Sequence, residues 1–236
     1  MRNGIFKMEN YSYINRNLTE LTAEIDALAA VSGRCVKLVC VTKSGTDEEL
    51  LALAGAGASD VGENRPGELA RRGALLREGG YTPTLHEIGN LQRNKVKLII
   101  RDVALIHSLD NEALAAEIEK QAAKIDRIVH VLIEINSGRE ENKDGIMPEE
   151  AEEFLLKLSA YPHLSVKGLM TMGPVCEDPE DSRKYFRLTR EIFDALCEKY
   201  PEMGLDTLSM GMSDSYRVAI EEGSTLVRVG RKLFTK

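Results

Sequence analysis

The sequence predicts an α/β protein folded as a single (β/α)₈ barrel, with an extra helix ahead of its first strand. Three observations carry that expectation. Eight short apolar runs recur along the 236 residues. A helix-like segment separates each run from the next, long enough to return the chain for parallel pairing. The length suits one large domain, and no Pro/Gly/Ser linker, low-complexity tract or strong internal repeat divides it. An open doubly wound sheet is the alternative arrangement of the same elements.

Residues 1–16 read as a mobile N-terminal tail, with Met8 as an alternative start, and the barrel domain spans 17–236. Between 17 and 31, Leu18, Leu21, Ile25 and Leu28 fall on one helical face, so this segment is amphipathic and packs on the barrel's outside or across its base. Strands are expected at 38–41, 59–62, 85–88, 104–107, 128–135, 165–170, 207–210 and 225–229, where short apolar runs are bounded by turn residues. Helices are expected at 47–56, 66–77, 92–100, 112–124, 148–160, 179–200 and 214–222. Asp110 is placed to cap the helix that follows it, and Pro148 and Pro179 suit a first helical turn because they have no amide proton to leave unpaired. Gly223 ends the last helix between strands.

Composition narrows the function. The 31 basic and 38 acidic residues give a net charge of −7, which argues against a broad surface for nucleic acid or anionic lipid. No stretch approaches the roughly 18 apolar residues of a membrane span, and the N-terminus has no apolar signal core, so the expected location is cytoplasmic. Cys35, Cys40, Cys176 and Cys197 show no CxxC spacing, and His86, His107, His130 and His163 lack the paired spacing of a helical metal site. No metal is assigned.

In a (β/α)₈ barrel the chemistry sits at the C-terminal ends of the strands, and phosphate is commonly held by the loops after strands seven and eight. Lys43 ends the first strand in VKLVCVTK, where an amine at the mouth can form a Schiff base. A lysine closing a strand in solvent is the commoner case, and the two anion-binding loops tell against it here. After strand seven comes LSMGMSDSY, with Gly211 for a tight turn and Ser213 at the opening of a helix. After strand eight comes VRVGRKLF, in which Gly230 admits close backbone approach and Arg231 and Lys232 add positive charge. A closed barrel sets strand eight beside strand one. An aldehyde for the lysine and a phosphate for the loops are both features of pyridoxal 5′-phosphate (PLP).

The segments VCVTK, VGENRPGE, HEIGNLQRNKVK, IHSLD, NSGREENKDG, GLMTMGP, LSMGMSDSY and IEEGSTLVRVG together resemble the pyridoxal phosphate homeostasis protein family, relatives of the TIM barrel that forms the alanine racemase N-terminal domain. The resemblance covers nearly everything from Asn17 onward. It implies Lys43 as the Schiff-base lysine, Asn64 beside the cofactor ring, and His86, Ile88 and Gly89 in a wall of the pocket. It further implies Met212 and Ser213 in one phosphate turn, Gly230 and the Arg231 amide in the other, and Arg228 facing the pyridine nitrogen. Two departures stand out: Arg231 where the family usually has a small hydroxyl residue, and Arg65–Pro66 where an aromatic residue often follows Asn64.

Arg228 has a consequence of its own. A guanidinium stays protonated and can only donate, so it discourages protonation of the ring nitrogen and leaves the cofactor a poor electron sink. With the resemblance, which implies a monomer, the expected function is a PLP carrier in vitamin B6 homeostasis that delivers to apo PLP-dependent enzymes, with no residue assigned a catalytic role. Two alternatives stay open: an amino-acid racemase, which needs a second base opposite Lys43, and a lysine-dependent aldolase using the anion grip for a substrate phosphate.

Overall fold

In a computed structural model that describes residues 8–236, every one of the eight apolar runs forms a strand. They are β1 Lys37–Val41, β2 Asp60–Glu63, β3 Thr84–Glu87, β4 Leu105–Leu109, β5 Val129–Glu134, β6 Leu164–Met170, β7 Thr207–Ser209 and β8 Leu226–Val229. Each strand pairs in parallel with the next, and β8 pairs with β1 from Lys37 opposite Leu226 to Cys40 opposite Val229. The sheet is closed. An open doubly wound arrangement is thereby excluded, because no strand is left at an edge.

Side-chain alternation divides the strands between two layers. Val39, Leu105, Leu132, Met170 and Leu226 fill the barrel interior, while Val61, Leu85, Ile106, Val131, Ile133, Leu169 and Leu208 face the surrounding helices. The connecting helices are α2 Asp47–Gly55, α3 Pro66–Glu78, α4 Val96–Ile99, α5 Glu112–Ala123, α6 Ala151–Leu158, α7 Arg183–Lys199 and α8 Tyr216–Glu221. Pro148 and Pro179 open 3₁₀ turns that lead into α6 and α7, as their missing amide favours. Gly223, at φ +102°, follows α8 and donates to Ile220 O.

The cap of α5 corrects the sequence expectation. Asn111, extended at φ −152°, accepts from Leu114 N at 2.8 Å and is the capping residue. Asp110 lies one residue too early to reach the first free amides and instead accepts from Asn111 Nδ2 at 2.7 Å.

After β8 the chain makes only the short α9, Arg231–Phe234, and the first helix takes the remaining place in the outer ring. This helix, α1, spans Ser12–Val31 and packs against α2, α8 and α9. It starts five residues before the expected Asn17, because Tyr13 and Ile14 join Leu18, Leu21 and Ile25 in a cluster with Leu53, Tyr216 and Leu233. Asn17 Nδ2 donates to Leu233 O and Thr235 O, tying α1 to the end of the chain. Of the expected tail, residues 1–7 lie outside the described residues.

Glu87, at the end of β3, is fully buried; one oxygen accepts from Gly89 N at 3.3 Å and the other has no partner among the described residues. Burial pushes its pKa from 4.5 up to about 8, opposed by the Gly89 bond and assisted by Glu63. Between those values the folded protein keeps a proton that the unfolded chain loses, so this group's effect on stability worsens as pH rises from 4.5 to 8 and then levels off. Urea unfolding at pH 5 and pH 8.5 should show Glu87→Gln removing a loss on the order of a few kcal/mol. An unchanged pH dependence in the variant would refute the assignment.

Candidate functional site

A cavity of about 310 Å³ opens at the C-terminal mouth of the barrel, bordered by the ends of β1, β2, β3, β6, β7 and β8. A volume of this size is at the lower end for small-molecule sites, roughly 300–1,000 Å³. Lys43 stands at its rim, exposed, two residues beyond β1.

The loop carrying Lys43 is held from below by a buried ion pair that sequence reasoning missed. Arg72, on α3, donates to Glu63 Oε1 at 2.5 Å, to Thr42 O at 2.5 Å and to Gly45 O at 2.6 Å. Thr42 Oγ1 donates to the same Glu63 oxygen at 2.5 Å. The carbonyls flanking Lys43 on both sides thus share one guanidinium. Thr46 then caps α2, accepting from Glu49 N while Glu49 accepts from Thr46 N. A buried arginine on an otherwise amphipathic helix is the only sequence signal, and partners so far apart in sequence left it silent.

Arg228 projects from β8 beneath the cavity and is 3% exposed. Its Nη1 donates to Ser209 O and Oγ at 2.9 and 2.5 Å, and its Nη2 to Thr171 O at 3.1 Å. Among the described residues its Nε has no protein partner. Burial pushes the guanidinium down to about 10, with Glu134 opposing, so it remains a cation at neutral pH.

Two glycine turns face each other beside it. Gly211, at φ +89°, reverses the chain after β7 where a Cβ would meet Ala219 Cβ at 2.6 Å. Met212 and Ser213 follow, and Ser213 Oγ accepts from Gly230 N at 3.3 Å, linking the two loops. A Cβ on Gly230 would lie 2.9 Å from Val41 O, so only glycine lets β8 run on beside β1 here. The amides of Ser213, Asp214 and Arg231 have no protein acceptor among the described residues. Arg231 is largely exposed and pairs with Asp214, which offsets the positive charge expected from the sequence.

Of the ten residues singled out in the sequence, Lys43, Asn64, Ile88, Met212, Ser213, Arg228, Gly230 and Arg231 line this one cavity. Asn64 Oδ1 is buried without a partner among the described residues. His86 and Gly89 are not among the lining. His86 points into the barrel below, and Gly89 packs against Asn64, where a Cβ would meet Asn64 O at 2.3 Å. The histidines that seemed isolated are not: His86 Nδ1 and His107 Nε2 lie 3.0 Å apart.

The structure adds Glu134, on the inward face of β5 two residues after Leu132, in a small recess that shares Met172 and Gly173 with the cavity. Burial, then Asp110 and Asp144, push its carboxyl up to about 7, with Arg228 opposing. The period-two pattern of β5 was the signal that could have found it. A larger groove of about 900 Å³, lined by Asn90 to Asn94 and by residues from Asn111 to Lys120, is a wide surface depression outside this cavity.

The sequence profile of the alanine racemase N-terminal domain family matches residues 17–235. A pyridoxal phosphate homeostasis protein of Aquifex aeolicus is 44% identical over 200 residues, 85% of this chain and 86% of its own. The chain belongs to the pyridoxal phosphate homeostasis protein family. The Haemophilus influenzae member of that family is 32% identical over 224 residues, 94% of each chain. PipY of Synechococcus elongatus, solved with PLP bound, superposes with a TM-score of 0.83 at 27% identity, over 94% of this chain and 100% of that one. Alanine racemase of Corynebacterium glutamicum, at 19% identity and TM-score 0.72, shares the fold; 96% of this chain matches 61% of the racemase.

Removing one partner of a buried ion pair strands the other. Arg72→Ala should therefore destabilise the protein by about 3–5 kcal/mol, and Glu63→Leu combined with Arg72→Met should recover much of that loss. Chemical unfolding of the three proteins checks it; a double variant as unstable as Arg72→Ala would show that lost packing, and not the stranded carboxylate, dominates.

Proposed function

We propose that this chain holds PLP at the barrel mouth through a Schiff base on Lys43 and takes part in intracellular PLP homeostasis. The observation that carries the reading is the convergence on one cavity of a free amine, a buried guanidinium with a spare N–H, and unpaired amides on two linked glycine turns. The kinship with proteins of that name, and with a relative solved with PLP bound, supports it.

The residues fit the cofactor's donor and acceptor set. The amides of Ser213, Asp214 and Arg231 suit a phosphate, which needs several donors at close range. Arg228 Nε could donate to a ring nitrogen, and Asn64 Oδ1 is an acceptor that lacks a donor among the described residues. When bound, the cofactor supplies an aldehyde that condenses with amines. Arg228 has no proton-accepting role and would leave a bound ring nitrogen unprotonated, so the site would support carbanion chemistry poorly. The chain then acts as a monomeric, cytoplasmic carrier that delivers to apo-enzymes and shows no sustained turnover.

A racemase reading gains one point from Glu134. In a closed eight-stranded barrel β5 lies across from β1, so a carboxyl near 7 faces the side of the mouth that carries Lys43. Amino-acid racemisation at about 1 s⁻¹ or faster, lost in both Lys43→Ala and Glu134→Gln, would establish that reading over the carrier.

The purified protein should show a visible absorption band that borohydride bleaches, leaving a pyridoxyl mass on Lys43, and Lys43→Ala should fold but lose the adduct. A pyridoxyl group on another lysine of the unaltered protein would sink the assignment. Gly230→Val should weaken PLP by roughly ten- to a hundredfold, the scale of a lost charge-assisted bond, while leaving free pyridoxal nearly unaffected. Equal losses for the two ligands would count against a phosphate grip.

A further inference from the structure

Five buried polar side chains cross the barrel interior in one unbroken chain of hydrogen bonds. Arg228 Nη1 donates to Ser209 Oγ at 2.5 Å, and Ser209 Oγ meets His107 Nδ1 at 3.0 Å. His107 Nε2 meets His86 Nδ1 at 3.0 Å, and His86 Nε2 meets Asp60 Oδ1 at 2.9 Å. All five residues are at most 4% exposed. Beyond Asp60, at the opposite end of the barrel from the cavity, Lys37 Nζ lies 3.6 Å from the same carboxylate and reaches solvent.

The direction of each bond follows from what each group can do. A guanidinium only donates, so Ser209 Oγ accepts from Arg228, and an ionised Asp60 only accepts, so His86 donates to it from Nε2; with both imidazoles neutral, the one proton of Ser209 then goes to His107 Nδ1. An imidazole that accepts at Nδ1 and is neutral carries its proton on Nε2, which donates to His86 Nδ1. His86 repeats the pattern and donates from Nε2 to Asp60. Every donor then has an acceptor, and every dipole points the same way, from the cation at the cavity to the anion at the base. The ionisation of the groups along the chain is consistent with this direction. Burial, with His86 and Arg228 nearby, holds His107 well below its ordinary pKa; burial pushes Asp60 up, but bonds from His86 and Ser59 outweigh it and keep the carboxyl below its ordinary range.

Arg228 needs such an arrangement. Its hydrogen-bond acceptors are two carbonyls and a hydroxyl, none of them charged. Glu134 acts on it only through space, and with a pKa near 7 it is a partial counter-charge at neutral pH. We propose that Asp60 is the remote counter-ion of Arg228, and that Ser209, His107 and His86 are positioning residues through which it sets how strongly Arg228 donates to an aromatic ring nitrogen bound in the cavity. The identity of that ring rests on the PLP reading; the chain of bonds does not.

Two measurements test the proposal, the first of them independently of that reading. In the ligand-free protein, ¹⁵N NMR of the histidine rings at pH 7.5 should show both His86 and His107 protonated at Nε2 alone. An Nδ1–H tautomer on His107, or a doubly protonated His86, would reverse the chain and overturn the proposal. In the second measurement, Asp60→Asn and Ser209→Ala should each weaken PLP by about tenfold, the effect of altering one charge-assisted bond. An analogue with CH in place of the ring nitrogen should change by less than about twofold, and Ser209→Thr, which keeps the hydroxyl, should behave as the unaltered protein. Equal losses for PLP and the analogue, or a Ser209→Thr protein as weak as Ser209→Ala, would reduce the chain to packing and overturn the proposal. Failure of the unaltered protein to bind PLP would sink the PLP reading, and the NMR result would still decide the direction of the chain.

Discussion

Pairing of β8 with β1 is the contact on which the geometry of the mouth depends. It places Cys40 opposite Val229, and the two strands then end side by side, one running into the Lys43 loop and the other into the Gly230 turn. The absence of a side chain at Gly230 lets that turn pass within contact of Val41 O, and Ser213 bridges to it from the loop after β7. Residues almost 190 positions apart in sequence thereby border one cavity. Parallel pairing has no short connection, so every such neighbour is brought in by a helix packed on the outside.

Below the mouth, the barrel departs from aliphatic filling. A barrel of eight strands has an interior just wide enough for side chains to meet across it, and here Val39, Leu105, Leu132, Met170 and Leu226 share that space with a buried cation and two histidines. Such groups are tolerated only when each donor and acceptor is matched. The bonds from Arg228 to Ser209 and Thr171, and from His86 to Asp60, match most of these groups, and Arg228 Nε is left without an acceptor among the described residues. A second buried pair, Arg72 with Glu63, lies between β2 and α3 and holds the carbonyls around Lys43. Both arrangements put rigidity under the cavity, while Lys43 and the apolar rim of Met172, Val175 and Met212 stay exposed.

Much of this was legible in the sequence because it depends on local spacing. Eight apolar runs with helical intervals fix strand number and order, and each observed strand lies within two residues of the expected bounds at both ends. Lys43, Gly211 and Gly230 were found because strand ends and glycine turns are local signals, and a barrel supplies the rule that brings strand ends together. The cap at Asn111 and the early start of α1 were misread for the same reason: each is chosen by which neighbouring residue reaches its partner, a matter of ångströms that adjacent candidates in sequence do not separate.

By itself, then, the chain determined its fold class, the end of the barrel where a site would lie and most of the residues bordering it, since periodicity and turn chemistry are written residue by residue. Only the tertiary structure decided which polar groups meet. His86 and His107 look solitary in the sequence because they sit on different strands, and their pairing depends on both pointing inward at the same height of the barrel. Glu134, Arg72 and Asp60 are ordinary charged residues until burial and their partners set their ionisation and direction. Burial and hydrogen-bond partnership belong to the closed barrel as a whole, and no single segment carries them.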